Sequence, residues 1–281
     1  MSKILLNDCS QKVTEEISML LDNGETIFNE HFDENKSLNS YSMIILEAGG
    51  NRKNNLERVK KLRKACNFRN IAIIIVDKCD YSCHEKEYVL AGATEVLSLT
   101  ESPVLCRQIL QSHLIPSRQP LEEETEYIKP FIEATHNVMK TMAGMEPELK
   151  EIYFNNELRI FGDVSGVIGL SGSSGGTAVI TFYWNLAREI ILRMMGGGVK
   201  DPDLEMIHDG VGELVNMISG SAKKALVGTP YYFHLSIPSV VVGSGHTIGH
   251  PDNASVAVLV FNVKDNSFVI QVSIVPANHK G

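Results

Sequence analysis

Residues 71–76 read Ile-Ala-Ile-Ile-Ile-Val, an apolar run with no polar residue in alternation. A strand with one wet face alternates with a period of two. An unbroken run instead suits a strand buried on both faces, which in a water-soluble domain means a parallel sheet covered by helices on either side. The neighbouring pattern agrees. Lys3–Leu6 and Met43–Leu46 are further short apolar runs, and Glu95–Leu97 follows the Gly92-Ala93 turn. Val13–Leu21, Asn55–Ala65 and Pro103–Leu114 have helical spacing. Strand and helix repeating through residues 1–115 predict an α/β doubly wound open sheet.

The pattern changes after residue 115. Residues 116–127, PSRQPLEEETEY, combine two prolines with a run of acids, the composition of a linker or an exposed helix start. Beyond it a long helix is expected over Ile128–Met142, then Gly-punctuated strands over Val164–Leu170 and Thr177–Tyr183. Helices are expected over Leu186–Met195 and about His208–Val227, and strands over Leu235–Val242, Ser255–Val263 and Ser267–Ser273. Strands grouped around a helical pair predict an α+β domain over 128–281. A length of 281 residues suits this two-domain division.

Composition narrows the function classes. A net charge of −8 argues against a nucleic-acid binder, which needs a basic stripe to displace counterions. No apolar run approaches the ~20 residues that span a bilayer, and the N-terminal MSKILLNDCSQK turns polar too early for a secretory signal. The five cysteines, Cys9, Cys66, Cys79, Cys83 and Cys106, are odd in number and confined to the first half. That pattern reads as reduced thiols in a cytoplasm. No metal site is expected: Cys79 and Cys83 lack a second ligand pair, and His246 and His250 lie in a Gly- and Pro-bearing loop.

The segment with usable chemistry is DGVGELVNMISGSAKKAL, residues 209–226. Asp209, Glu213 and Asn216 stand at i, i+4 and i+7, so a helix shows them on one face. Val211, Leu214, Val215, Ile218, Ala222 and Leu226 form the apolar stripe that anchors the helix. An acid and a carboxamide displayed from an anchored helix suit a rigid site, although exposed Glu and Asn are ordinarily just solvated. Two further segments have blander readings. GLSGSSGGT (169–177) lacks the GK[ST] ending of a phosphate loop and is expected to be a hairpin turn. MMGGGVKD (194–201) reads as a helix stop.

With GDVSGVIGLSG (162–172) before this helix and LSIPSVVVG (235–243) after it, residues 128–275 resemble the CheC/CheX/FliY chemotaxis phosphatases. The motif of that family is an Asp or Ser, three residues, Glu, two residues, Asn, then a Pro about twenty-two residues on. Asp209, Glu213, Asn216 and Pro238 fit it, and the lone ExxN resembles CheX rather than two-site CheC. The resemblance implies a hydrolase acting on the aspartyl phosphate of a separate CheY-like response regulator, with Glu213 and Asn216 catalytic and Asp209 and Pro238 in support. It implies no cofactor of the chain's own, Mg²⁺ being supplied at the partner's site, and it implies a homodimer. A non-catalytic adaptor that binds a receiver or flagellar-switch partner is the competing reading.

Residues 1–115 resemble a response-regulator receiver whose chemistry has been lost. That family needs an acidic pair after the first strand, an Asp after the third, a hydroxyl after the fourth and a Lys after the fifth. The matching positions here are Asp8 and Cys9, Glu47, Asp77 and Leu99. One acid holds Mg²⁺ poorly, and a leucine cannot neutralise a phosphate, so this pseudo-receiver is not expected to be phosphorylated. Asp8, Glu47 and Asp77 are expected to meet at the carboxyl ends of the strands with no lysine among them. Solvation is the expected outcome, with a bound cation or a raised carboxyl pKa as the alternatives.

Overall fold

A computed structural model of the chain describes residues 2–21, 25–32, 38, 40–77, 85–114, 120–154, 162–196, 198, 200–243, 246, 248 and 255–277. The chain divides into two compact units, Met1–Pro116 and Ser117–Gly281. No helix among the described residues is long and apolar enough to cross a membrane.

The first unit runs β1 (Lys3–Asn7), α1 (Gln11–Leu20), β2 (Thr26–Glu30), β3 (Met43–Glu47), α2 (Arg52–Ala65), β4 (Ala72–Val76), α3 (Glu85–Ala91), β5 (Glu95–Leu97) and α4 (Pro103–Leu114). Its five strands are all parallel, in the order β2-β1-β3-β4-β5. This is a doubly wound order whose carboxyl ends open on one crevice. The apolar run of β4 explains why. Ile74 and Val76 enter one core with Val13, Ile17 and Leu110, while Ile73 and Ile75 enter the other with Val59, Leu62 and Tyr88. Successive side chains of a strand point to opposite faces, so only a sheet covered on both sides buries all of them. The edge strand β2 and the short α3 were not expected from the sequence; β2 is only half-buried and carries no apolar run.

The second unit runs α5 (Glu122–Ala143), β6 (Glu148–Phe154), β7 (Val164–Ser171), β8 (Ser174–Phe182), α6 (Trp184–Met194), α7 (Leu204–Ala225), β9 (His234–Leu235), β10 (Ser239–Val242), β11 (Ala257–Val263) and β12 (Asn266–Pro276). Its antiparallel sheet has the order β10-β7-β8-β12-β11-β6, with β9 also on β7. One core joins this sheet to α5, α6 and α7 through Phe131, Ile168, Phe182, Ile190, Leu214 and Phe268. The α+β expectation agrees with this layout. Gly172, at φ 111°, turns β7 into β8 as a hairpin, and α6 stops before Gly196 at φ 62°.

Several elements differ from the sequence reading; α7, for one, starts at Leu204, four residues before the expected His208. Helix α5 starts at Glu122, so the acidic run forms its first turns. There Glu122, Glu123 and Glu124 meet the positive end of the helix dipole, and Leu121 N–H donates to Glu124 Oε2 at 2.8 Å. Strand β6 was missed altogether, its apolar residues being interleaved with charge. The single strand expected over 235–242 is broken. Leu235 pairs with Leu170 and Ser239 pairs with Val167, so Ser236, Ile237 and Pro238 lie opposite only Ile168 and Gly169. Pro238 has no N–H for the ladder, and the extra residue is taken up as a bulge.

Candidate functional site

Helix α7 is held on several sides. The Asp203 side chain caps its start, accepting from Met206 N–H at 2.8 Å. Its stripe of Val211, Leu214, Val215, Ile218, Ala222 and Leu226 is buried. Gly166 of β7 lets the helix come close: a Cβ there would lie 2.9 Å from the Val211 carbonyl oxygen and 3.1 Å from Cγ1 of both Val211 and Val215. Along another edge, a Cβ on Gly212 would meet Val240 at 3.5 Å, and one on Gly220 would meet Leu235 at 3.9 Å. The segment from Leu235 to Val240 therefore runs antiparallel to α7, from the level of Gly220 to that of Gly212.

Asp209 and Glu213 are exposed and Asn216 is half-buried. They occupy one helical face, as their spacing requires. Asp209 lies 3.5 Å from His208 Nδ1. Glu213 and Asn216 make no hydrogen bond or ion pair with any described residue. The site thus offers a carboxylate acceptor and an amide that both donates and accepts, one helical turn apart on a fixed backbone.

Pro238 sits in the bulge beside this face. Here the backbone is tied down: Gly169 N–H donates to Ser236 Oγ at 2.9 Å, Ser236 N–H donates to Gly169 O at 2.9 Å, and Ser236 Oγ–H donates to Ile237 O at 3.0 Å. Gly212 and Gly220 mark the two ends of the 235–240 segment on α7, so its midpoint, Ile237–Pro238, falls level with Asn216. Lys223 lies over the Tyr232 ring, 5.6 Å from its centre, while Lys224 is exposed.

The carboxyl end of the parallel sheet in the first unit looks different. Asp8, in the left-handed region at φ 53°, is held by Arg58 of α2 at 3.0 Å and by His31 Nδ1 at 2.8 Å. Arg58 also donates to Asn7 O at 3.3 Å and to Asn7 Oδ1 at 3.1 Å. Glu47 Oε2 accepts from Ser10 N–H at 2.6 Å, just ahead of α1. Burial above all, reinforced by the neighbouring carboxylates of Glu47 and Asp8, pushes the Cys9 thiol up to about 11. Cys9 therefore supplies no anion beside Asp8 near neutrality. Asp77 N–H donates to Leu97 O at 3.1 Å. Leu99 is half-buried against the core under α1 and α4.

Asp8, Glu47 and Asp77 were expected to meet with no lysine among them; the cation that stands against Asp8 is an arginine, Arg58. Among the described residues no three acidic, His or Cys side chains gather in a way that could hold a metal ion. Asp8 and Glu47 have separate partners, and a guanidinium already stands against Asp8. Sequence reasoning missed Arg58 and His31. In a doubly wound sheet each helix starts from the carboxyl ends of the strands, and Arg58, two turns into α2, is long enough to reach back. That was the available signal for Arg58; His31 follows the unexpected strand β2. Of the other metal candidates, His246 spends both ring nitrogens, at 2.6 Å from Gly243 O and 2.6 Å from Ser165 Oγ. Cys79, Cys83 and His250 lie outside the described residues.

The fold is a receiver-like α/β unit followed by an α+β unit. Residues 164–262 match the family model described as chemotaxis phosphatase CheX. The crystal structure of chemotaxis protein CheX from Desulfovibrio desulfuricans is 35% identical, the match covering 53% of this chain and 99% of that one with a TM-score of 0.50. Among curated proteins, CheY-P phosphatase CheX of Thermotoga maritima is 23% identical over 120 residues, which is 43% of this chain and 77% of that protein. Through its C-terminal unit, the chain belongs to the CheX family.

Proposed function

We propose that the second unit hydrolyses the aspartyl phosphate of a separate CheY-like response regulator. The observation that carries this reading is the pair Glu213 and Asn216, uncommitted within the described structure and fixed on one face of α7. The name of the Thermotoga relative, CheY-P phosphatase, supports the same substrate class.

Hydrolysis of an acyl phosphate is an in-line displacement. The water oxygen forms a bond to phosphorus, the bond from phosphorus to the carboxylate oxygen breaks with the carboxylate leaving as its anion, and the water proton passes to a phosphoryl oxygen of the departing phosphate. Most of the catalysis lies in placing that water. The Asn216 carbonyl accepts a hydrogen bond from the water and so orients it, and its NH₂ is free to donate one to a phosphoryl oxygen. Glu213 pairs with the lysine at the partner's phosphate, since a carboxylate this close to a phosphate is repelled without an intervening cation. Mg²⁺ belongs to the partner's own site. Asp209 and Pro238 support the face, the one a turn before Glu213 on α7 and the other in the bulge level with Asn216.

The first unit is a pseudo-receiver domain in this reading. Arg58 stands against the carboxylate that would bind the metal, and Glu47 is tied to the start of α1. The phosphate is therefore on another protein. Self-association into a homodimer belongs to the same proposal and is read from sedimentation velocity.

The test mixes the full chain with a CheY-type receiver carrying labelled phosphate and follows loss of the label. Rapid loss with wild type and loss at the receiver's own rate with Glu213→Ala and with Asn216→Ala is the expected result. Equal activity in all three proteins rules the assignment out. Tight binding of the receiver with an unchanged phosphate lifetime would indicate an adaptor.

A further inference from the structure

Ile237 is the most exposed large apolar side chain among the described residues, at 87%. It stands in the bulge between β9 and β10, level with Asn216. Exposed isoleucines are common enough singly. This one is different in how it is held.

Ordinarily such a side chain on a loose loop folds back onto the nearest apolar surface. Here the backbone is fixed on both sides. Leu235 pairs with Leu170, and Ser239 with Val167. Ser236 makes two hydrogen bonds to Gly169 and a third to the Ile237 carbonyl itself. Pro238 fixes its own φ and restricts Ile237 to extended conformations. Ile237, the middle residue of the bulge, is thereby turned out from the sheet, which is how bulges re-aim side chains beside functional sites.

We infer that Ile237 is a pre-set docking anchor, inserted into an apolar depression on the receiver next to its phosphorylated aspartate. The inference rests on the phosphatase reading for the identity of the partner. The case for a receiver as occupant is steric. The 235–240 segment crosses α7 from Gly220 to Gly212, so Ile237 and Asn216 share one level. A protein that brings a phosphoryl group to Asn216 also covers Ile237. A rigid apolar anchor costs little conformational entropy when it binds, and its contact exists equally in the ground state and the transition state. Its effect therefore belongs in KM, whereas that of Asn216 belongs in kcat.

The experiment measures steady-state hydrolysis of a phosphorylated CheY-type receiver, and in parallel the binding of the same receiver loaded with trifluoroberyllate as a phosphoryl mimic. The variants are Ile237→Ser and Ile237→Leu in the full chain. Neither disturbs a buried contact, and unchanged melting temperatures check this. Ile237→Ser is expected to raise KM about tenfold, the loss that follows from leaving one aliphatic side chain unburied, with kcat within about twofold on the uniform-binding argument. Ile237→Leu is expected to restore most of the loss. An unchanged KM and an unchanged affinity for the mimic overturn the inference. So does a homodimer that dissociates on Ile237→Ser while KM stays put, since Ile237 then covers a second copy of the chain. If wild type binds the mimic but hydrolyses nothing, the phosphatase reading fails alone, and weaker binding by Ile237→Ser still supports the anchor. If wild type binds no loaded receiver, both fail.

Discussion

At the carboxyl edge of the parallel sheet, the charged groups are answered from within the unit. Asp8 has Arg58 and His31, and Glu47 has the Ser10 amide. On α7, Glu213 and Asn216 have no partner among the described residues, although the helix beneath them is pinned by its buried stripe and by the close contact at Gly166. Both places display acidic groups at the edge of a well-packed core. What separates them is whether each side chain's hydrogen-bonding capacity is already used. A carboxylate held by a guanidinium has lost much of its capacity to recruit a cation. A carboxylate and a carboxamide on a rigid backbone with no internal partner are available to another molecule.

The strongest way to break this contrast is at Asn216. Asn216→Ala is expected to slow release of phosphate from the receiver about a hundredfold or more, the scale of a lost positioning group in the transition state. Glu213→Ala is expected to cost somewhat less and to show partly in KM. A loss of under threefold at both positions would place this face of α7 with ordinary solvated surface.

Gly166→Ala tests the support under the pair. Its Cβ would come within 2.9 Å of the Val211 carbonyl oxygen, which is backbone and cannot rotate away. Overpacking of this kind costs about 1–3 kcal/mol. A drop in melting temperature is expected together with a fall in turnover, because α7 must move. An unchanged melting temperature would mean that the contact between β7 and α7 tolerates more slack than the geometry allows.

Arg58→Ala sharpens the contrast from the other side. Asp8 and Arg58 are both partly exposed, so the stability lost is expected to be only about 1 kcal/mol or less. The more telling readout is the response to cations. Wild type is expected to show no shift in melting temperature with Mg²⁺ or Mn²⁺. Arg58→Ala, which leaves only His31 against Asp8, is expected to gain a small upward shift at millimolar Mn²⁺, since binding to the folded state alone stabilises it. A shift of equal size in wild type would show that the guanidinium does not occupy the cation's place.

The smallest effect concerns Cys9. Its ordinary value of 9.0 is raised to about 11 in the fold. The sign follows from linkage: the neutral thiol is the form favoured on folding, so its contribution is complete below pH 9 and is lost as pH rises through about 11. Stability of the first unit is expected to decline over that window, and Cys9→Ala is expected to flatten the decline. An identical alkaline limb in the variant would remove Cys9 as its cause.

Periodicity made much of this legible in the sequence. The unbroken run at 71–76 required two covered faces, and its residues do alternate between two cores. The stripe on α7 and the outward spacing of Asp209, Glu213 and Asn216 are local properties of one helix, so 3.6-residue geometry was enough to place them. What escaped notice depends on distant or weakly patterned residues. β2 is half-buried and short of apolar residues, and β6 mixes charge with its apolar positions. Arg58 meets Asp8 across fifty residues of chain, a contact that no window of sequence contains. For the acidic run at 122–126 the sequence left a linker and an exposed helix start both open, and in the fold it forms the first turns of α5, at the positive end of the helix dipole.

The pairing of Arg58 with Asp8 has one more consequence. A dissolved ion comes and goes with its concentration, and a metal-gated pocket is emptied by dilution or chelation. Arg58 is fixed on α2, so its concentration at Asp8 is an effective one, set by the fold and unchanged by the surroundings. The Asp8 carboxylate therefore keeps its cationic partner at any magnesium level. Where a receiver's pocket reports on its solution, this one is insulated from it.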